Sequence, residues 1–148
     1  MIDLKSIHEM WAKDCIIDKM NLDEASRQTP SIHSKYLELL STYKLQLKRS
    51  EFQQKTLLKQ KWLYYNGKMD QQTVEELGWD PDPFNGLKVL KGEMEYYYDA
   101  DPEIQRSEEK IEYYKTIIET LTEIVHNIRW RHTTIGNMIK WRQFESGS

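Results

Sequence analysis

The chain has 148 residues, of which 30% are charged and 39% are hydrophobic, and it contains a single cysteine. This length suits one domain, the share of aliphatic and aromatic residues is too high for a disordered chain, and one cysteine excludes an internal disulfide. No apolar run approaches the ~20 residues that span a bilayer, and the first residues lack the pattern of a signal peptide. We therefore expect one helical domain, 1–148, that works in a reducing cytoplasm without a membrane segment.

The net charge of −3 conceals two basic segments separated by an acidic one. Residues 44–68 carry seven basic side chains and one acidic side chain, a net charge of +6. Residues 69–103 carry ten acidic and two basic side chains, a net charge of −8, and residues 127–142 carry four basic side chains and no acidic one. Local clusters, and not the total, decide whether a polyanion can dock, so the acidic pI does not exclude an anionic partner.

Two helices are predicted in the first half of the chain. Residues 3–14 have the pattern of a short amphipathic helix with Asp3 as its cap, and a much longer helix is predicted over 31–66. Pro30 suits the first helical position, and the pair Asn66-Gly67 is a good stop signal. Within the long helix one stripe recurs at steps of four and three: Tyr36, Leu40, Tyr43, Leu47, Ser50, Gln54, Leu57, Lys61 and Tyr64.

The middle of the chain, 69–100, is predicted to be an acidic connector with short elements. Asp70 is a plausible cap for a helix over 70–77, and the Asp-Pro and Asn-Gly pairs that follow indicate turns. A second short helix is predicted over 87–98. The acidic charge of the connector suits either a protein-docking surface or a solvated one.

The clearest helix is predicted over 101–144, with Asp101 as its cap and Pro102 at its first position. Apolar residues occupy coiled-coil a and d positions for about five heptads, and a third apolar row makes the seam wider than two strands need. This surface must pack against residues 31–65 or against other chains in a bundle or a ring, and we expect much of it to close in a homo-oligomer. The predicted oligomerisation residues are Ile104, Ile111, Tyr114, Ile117, Ile118, Leu121, Ile124, Val125, Ile128, Ile135, Met138 and Ile139.

No pattern for catalysis, a metal or a cofactor is present. The chain has no Gly-x-x-x-x-Gly-Lys-[Ser/Thr] loop, its histidines lack metal-ligand spacing, and no serine lies in a nucleophile elbow. We therefore predict an all-α binding protein and not an enzyme, with no cofactor and no metal. Two tryptophans of the last helix, Trp130 and Trp141, fall at outer heptad positions beside arginines, which indicates a contact surface for nucleic acid or for protein.

The stretch 57–70 combines lysines with large aromatic residues at the end of the long helix. Lysines attract phosphates whatever the base sequence, and aromatic rings stack on unpaired bases, so the combination is typical of single-stranded nucleic-acid binding. Solvated lysines beside core aromatics would give the same pattern. The residues predicted to bind nucleic acid are Lys55, Lys59, Lys61, Trp62, Tyr64, Tyr65 and Lys68.

Several motifs resemble the UvsY family of recombination mediators of tailed phages. Residues 58–68 read LKQK and then YYNGK, and the chain closes with WRQFESG at 141–147. The order of elements is also similar: a short helix, a long helix with the basic element, a variable middle and a long C-terminal helix. The middle resembles the version found in phages of marine cyanobacteria.

The resemblance implies an accessory protein in the cytoplasm of the infected bacterial host. Such proteins form ring-shaped homo-oligomers of six or seven subunits, bind single-stranded DNA, weaken the hold of the single-strand-binding protein and help a UvsX-like recombinase nucleate its filament. Recombination, recombination-dependent replication and repair depend on this step. By position, Lys59 and Lys61 match the family's basic residues for DNA contact, although Lys61 stands where arginine is expected, which removes a bidentate phosphate contact. The alternative is a structural coiled-coil phage assembly or scaffold protein that binds no DNA.

Overall fold

The computed structural model describes residues 2–147, and within that range it contains helices and turns but no strand. The predicted all-α fold is confirmed. A 3-10 turn, Lys91–Glu93, precedes the fourth helix. The helices are α1 Leu4–Asp14, α2 Leu22–Tyr65, α3 Gln71–Leu77, α4 Met94–Asp99, α5 Pro102–Arg129 and α6 Arg131–Glu145.

Aspartate side chains cap three of these helices, as predicted for Asp3, Asp70 and Asp101. Asp3 and Asp70 each accept a hydrogen bond from the backbone N–H three residues on, at 2.8 and 3.0 Å. Asp101 Oδ1 accepts from the N–H groups two and three residues on, at 2.9 and 3.1 Å. These bonds satisfy N–H groups that have no partner inside the helix, so each cap fixes where its helix begins.

The pair Asn66-Gly67 ends α2, as predicted. Gly67 has φ +68°, a left-handed conformation that side chains other than glycine rarely adopt. The Gly67 N–H bonds to the Tyr64 carbonyl at 3.2 Å, and the Lys68 N–H bonds to the Leu63 carbonyl at 2.8 Å. This pair of bonds is a Schellman motif, which turns the chain away directly after the last helical residues.

The predicted start of the long helix is wrong, because α2 begins at Leu22 and Pro30 lies inside it. A proline inside a helix lacks the N–H for one backbone bond and costs roughly 3 kcal/mol. Leu22 and Ala25 are buried in one apolar cluster with Ile135, and this packing holds the turns before the proline in the helix.

The predicted helix over 87–98 is only partly present. Residues 87–90 are irregular, and helical structure begins at the 3-10 turn before α4. Leu87 and Leu90 are both exposed, so this stretch buries no face that would hold it in a helix.

The predicted single helix over 101–144 is interrupted at Trp130, whose φ and ψ are −91° and −4°. The Trp130 N–H bonds to the carbonyl three residues back, at 3.0 Å, where a continuing α-helix would bond four back. The next residue, Arg131, is buried and donates to Thr29 Oγ1 and to the Asp14 carbonyl oxygen, both at 3.1 Å. A buried guanidinium needs such partners, and we attribute the break to the requirement that Arg131 reach them.

The chain divides into two compact units. One comprises the chain up to Leu45 together with the chain from Tyr114 onward, and the other is Gln46–Tyr113. Each has its own buried side chains, and the single-domain organisation stays a prediction. The core of the first unit consists of Ile7, Tyr36, Leu40, Tyr43, Ile117, Leu121, Ile124, Val125 and Ile128. The second unit buries Ser50, Lys61, Tyr64, Val74, Asp101, Ile104 and Ile111.

The apolar rows of α5 and α6 are largely used inside the chain. Tyr114 and Ile118 pack beside the core of the first unit, Met138 packs against the cluster around Ile135, and Ile139 is 41% exposed. Burial within the chain therefore accounts for most of the wide seam without a second subunit, and the oligomerisation role of these residues stays a prediction. The buried members are Ile104, Ile111, Ile117, Leu121, Ile124, Val125, Ile128 and Ile135.

Candidate nucleic-acid interface

One side of α2 carries exposed lysines and exposed aromatic rings. Side chains spaced by four and three residues lie in one strip on a helix surface. The only acidic residue between positions 44 and 68 is Glu51, and it is half-buried. The strip, which we call the lysine face, consists of Lys48, Phe52, Lys55, Lys59 and Trp62, all of them exposed.

Ammonium groups lie beside both aromatic rings of the lysine face. Lys48 Nζ is 5.1 Å and Lys55 Nζ is 5.8 Å from the centre of the Phe52 ring, and Lys68 Nζ is 4.5 Å from the centre of the Trp62 ring. These distances fall within the ~6 Å of a cation–π contact. Each ring is about half exposed, at 55% for Phe52 and 46% for Trp62, so part of each is open to a further flat group.

The structure thus brings together four of the predicted DNA-binding residues, Lys55, Lys59, Trp62 and Lys68, on or beside one exposed surface. Phe52 lies on the same surface but was not among the predicted residues, because it is outside the stretch where lysines and aromatics are adjacent. Its position was available from the sequence, because Phe52 is three residues before Lys55 on the same helical strip.

Lys61 lies on the opposite side of α2 from Lys59, since a separation of two residues corresponds to about 200° around a helix. It is only 4% exposed. Its Nζ is 2.9 Å from Asp101 Oδ2, 3.5 Å from Glu103 Oε1 and 3.8 Å from the centre of the Trp79 ring. An ammonium enclosed in this way is committed to carboxylates of its own chain, so this geometry disagrees with a phosphate contact and gives Lys61 a structural role.

Tyr64 and Tyr65, also predicted to bind DNA, take part in the same internal site. The Tyr64 hydroxyl donates to the Asp80 carbonyl oxygen, and the Tyr65 hydroxyl donates to Asp101 Oδ2 at 2.6 Å. Burial, together with the neighbouring carboxylates, raises the pKa of both hydroxyls above the usual range. Their rings lie 5.0 Å and 5.4 Å from those of Trp79 and Tyr98. This packing leaves neither ring available as a stacking platform.

Asp101 is the centre of this internal site. Burial alone would raise the pKa of its carboxyl, but hydrogen bonds from Tyr65 and Lys61 and from the start of α5 hold that pKa below its ordinary value. The carboxylate therefore joins three functions: it caps α5, it pairs with the buried lysine and it accepts from the tyrosine. Glu103 adds a second link, because it accepts a hydrogen bond from Trp79 Nε1 at 2.6 Å.

Within residues 2–147, no three histidine, cysteine, aspartate or glutamate side chains converge as they would around a metal ion. None of the helices in that range has the length and apolar composition to cross a membrane.

The helical fold and the lysine face define a class of protein, an all-α protein with a cationic helix surface that bears exposed aromatic rings. The sequence model of the family described as "UvsY: Recombination, repair and ssDNA binding protein UvsY" matches residues 10–148, and the chain belongs to that family. The family expected from the short motifs is thereby confirmed.

Relatives agree along nearly the whole chain. Recombination protein uvsY of Enterobacteria phage T4 is 26% identical over 144 residues, which are 97% of this chain and 98% of that protein. A crystal structure of the bacteriophage T4 recombination mediator protein UvsY in lattice type II has a TM-score of 0.81 at 24% identity, over 99% of each chain. The lattice type IV structure gives 0.79, over 97% of this chain and 99% of the other. These matches confirm the fold.

Proposed function

We propose that this protein is a recombination mediator that binds single-stranded DNA through the lysine face of α2 and prepares the strand for a recombinase. The observation that carries the proposal is the strip in which Lys55 and Lys59 stand exposed beside Trp62, with no exposed acid between positions 44 and 68. Membership of a family described as single-stranded-DNA-binding supports the same ligand. The alternative hypothesis, a scaffold protein that binds no DNA, is not favoured because the chain belongs to this family.

In the proposed complex the lysines neutralise phosphates and the Trp62 ring stacks on an unpaired base. The phosphate contacts are independent of base sequence and weaken as salt rises, and stacking requires bases that are not already paired. A strand held against a rigid helix must follow the line of that helix. We propose that this distortion weakens the hold of the phage single-strand-binding protein and opens a stretch for a UvsX-like recombinase. No chemical step is involved, and the protein acts in the cytoplasm of the infected host.

We further propose that the lysine faces act together in a ring-like homo-oligomer of six or seven subunits. Linked copies of a weak site raise the effective concentration, and avidity exceeds the affinity of one site by about 10²–10⁴-fold. Exposed rings on α6 support an assembly surface: Trp141 and Phe144 are stacked with centres 5.5 Å apart, and both are exposed. Beside them lies a groove of about 670 Å³, lined in part by Met20, Leu22 and Met138.

The test compares two lysines that are both exposed but lie in different electrostatic surroundings. Lys59→Ala is expected to weaken oligonucleotide binding and to reduce the slope of log affinity against log salt by about 0.7, the value for one phosphate contact to a single strand. Lys88→Ala removes the same charge from the acidic connector and is expected to change neither quantity. If Lys59→Ala binds with the wild-type affinity and slope, the proposed site is wrong.

A further inference from the structure

Phe52 is a large aromatic residue that the core of its unit does not use. It is 55% exposed on the lysine face, and single exposed apolar side chains are common on protein surfaces. Its surroundings are unusual, however, because ammonium groups stand on two sides of the ring, Lys48 at 5.1 Å and Lys55 at 5.8 Å. A ring that merely filled a surface gap would not need one ammonium group a helical turn before it and another a helical turn after it.

We propose that Phe52 is a second base-stacking platform for single-stranded DNA, with Lys48 and Lys55 contacting the phosphates on either side of the stacked base. The inference rests on the proposed function and extends it by one stacked base, toward the N-terminal part of α2.

The spacing along the helix supports two platforms on one strand. Phe52 and Trp62 are ten residues apart, which is about 15 Å along a helix axis at 1.5 Å per residue. Lys55 and Lys59 lie between the two rings on the same strip. The order lysine, ring, lysine, lysine, ring combines along one strip the two contacts that a single strand offers, phosphate and base.

Charge complementarity favours a polyanion as the occupant of this surface. Around the ring the exposed charges of the lysine face are all positive, and Glu51, the only acid in the segment, is half-buried. A second copy of the chain that presented its own lysine face here would set lysines against lysines, which is unfavourable.

The experiment uses the full chain, an oligothymidine and an abasic strand of the same length. Phe52→Ala is expected to lower affinity for the oligothymidine about fivefold or more, the lower end of the range for one stacked base, while leaving the salt slope unchanged. Phe52→Tyr keeps the ring and is expected to bind like the wild type. On the abasic strand, where nothing can stack, Phe52→Ala and the wild type should bind equally. Tyr96→Ala removes a 74%-exposed ring from the acidic connector and serves as the matched control.

The outcomes separate this inference from the function on which it rests. If Lys59→Ala weakens binding and Phe52→Ala does not, the second platform is wrong and the proposed function stands. An equal loss on both strands, or a change in oligomer mass for Phe52→Ala, would place Phe52 in a subunit contact and overturn the inference. If neither the wild type nor any variant binds the oligothymidine, the proposed function itself fails.

Discussion

At the scale of single residues, the two lysines at 59 and 61 have opposite roles. Lys59 is exposed on the lysine face, whereas Lys61 is enclosed by Asp101, Glu103 and the Trp79 ring. The cost of burying an ammonium group is large, and it is recovered only when carboxylates and hydrogen bonds surround that group closely. Lys61 therefore contributes to the stability of its unit, and Lys59 contributes to its surface charge.

This difference predicts a clear separation of effects. Lys61→Met leaves the Asp101 carboxylate buried without its cation and is expected to lower the free energy of unfolding by about 3–5 kcal/mol. Lys59→Met, made at an exposed position two residues away, is expected to change it by less than about 0.5 kcal/mol. Urea titration followed by circular dichroism measures both. A Lys61→Met protein as stable as the wild type would show that the buried pair is not needed for folding.

The sequence contained the signal for the burial of Lys61. The stripe of α2 that recurs at steps of four and three includes Tyr36, Tyr43 and Tyr64, which are buried, and Lys61 lies in that stripe. The helical period thus predicted that Lys61 lies on the inner side of α2. The composition of the segment and the family resemblance instead predicted that Lys61 contacts DNA. Its partner could not be read from the sequence, because Asp101 is forty residues away and only the fold brings the two together.

At the scale of elements, the helix ends that depend on local chemistry were predicted and those that depend on packing were not. The Asp70 and Asp101 caps and the Gly67 stop involve neighbours within a few residues. The turns of α2 before Pro30 and the break at Trp130 depend on contacts with distant parts of the chain, which periodicity does not show.

The left-handed stop at Gly67 gives an element-scale prediction. A Cβ at this position meets no atom within 4 Å, so Gly67→Ala costs only the strain of the backbone conformation, about 1–2 kcal/mol. Gly136 lies inside α6, also without a neighbour within 4 Å of an added Cβ, and Gly136→Ala is expected to stabilise by about 0.4–1 kcal/mol. Thermal unfolding should show shifts of opposite sign. If both variants shifted the melting temperature equally, the Gly67 turn would accommodate alanine without backbone strain.

At the scale of the whole molecule, the apolar rows of α5 are not the surface best suited to assembly. Most of them lie in the cores of the chain itself, so a charged substitution at half-buried Ile118 would disturb the fold as well as any interface. The exposed rings of α6 are the better candidates, because they contribute little to the cores and remain available to another subunit.

We therefore expect the double variant Trp141→Ser, Phe144→Ser to form smaller species than the wild type in analytical ultracentrifugation while keeping its helical circular dichroism spectrum. Loss of avidity should also weaken its binding to long oligonucleotides more than to short ones. Tyr96→Ser removes an equally exposed ring from the acidic connector and should leave the mass unchanged. A double variant of wild-type mass would exclude this surface from the assembly.

The pairing of Lys61 with Asp101 has a consequence for how such proteins diverge. Phosphate attraction does not depend on the exact position of a lysine, so mutation can move exposed lysines from one turn of the face to another with little loss of binding. A buried charge has no such freedom, and a change at position 61 requires a compensating change at position 101. Relatives at about a quarter identity are therefore expected to vary more in their surface lysines than at this buried pair, where the two positions should change together.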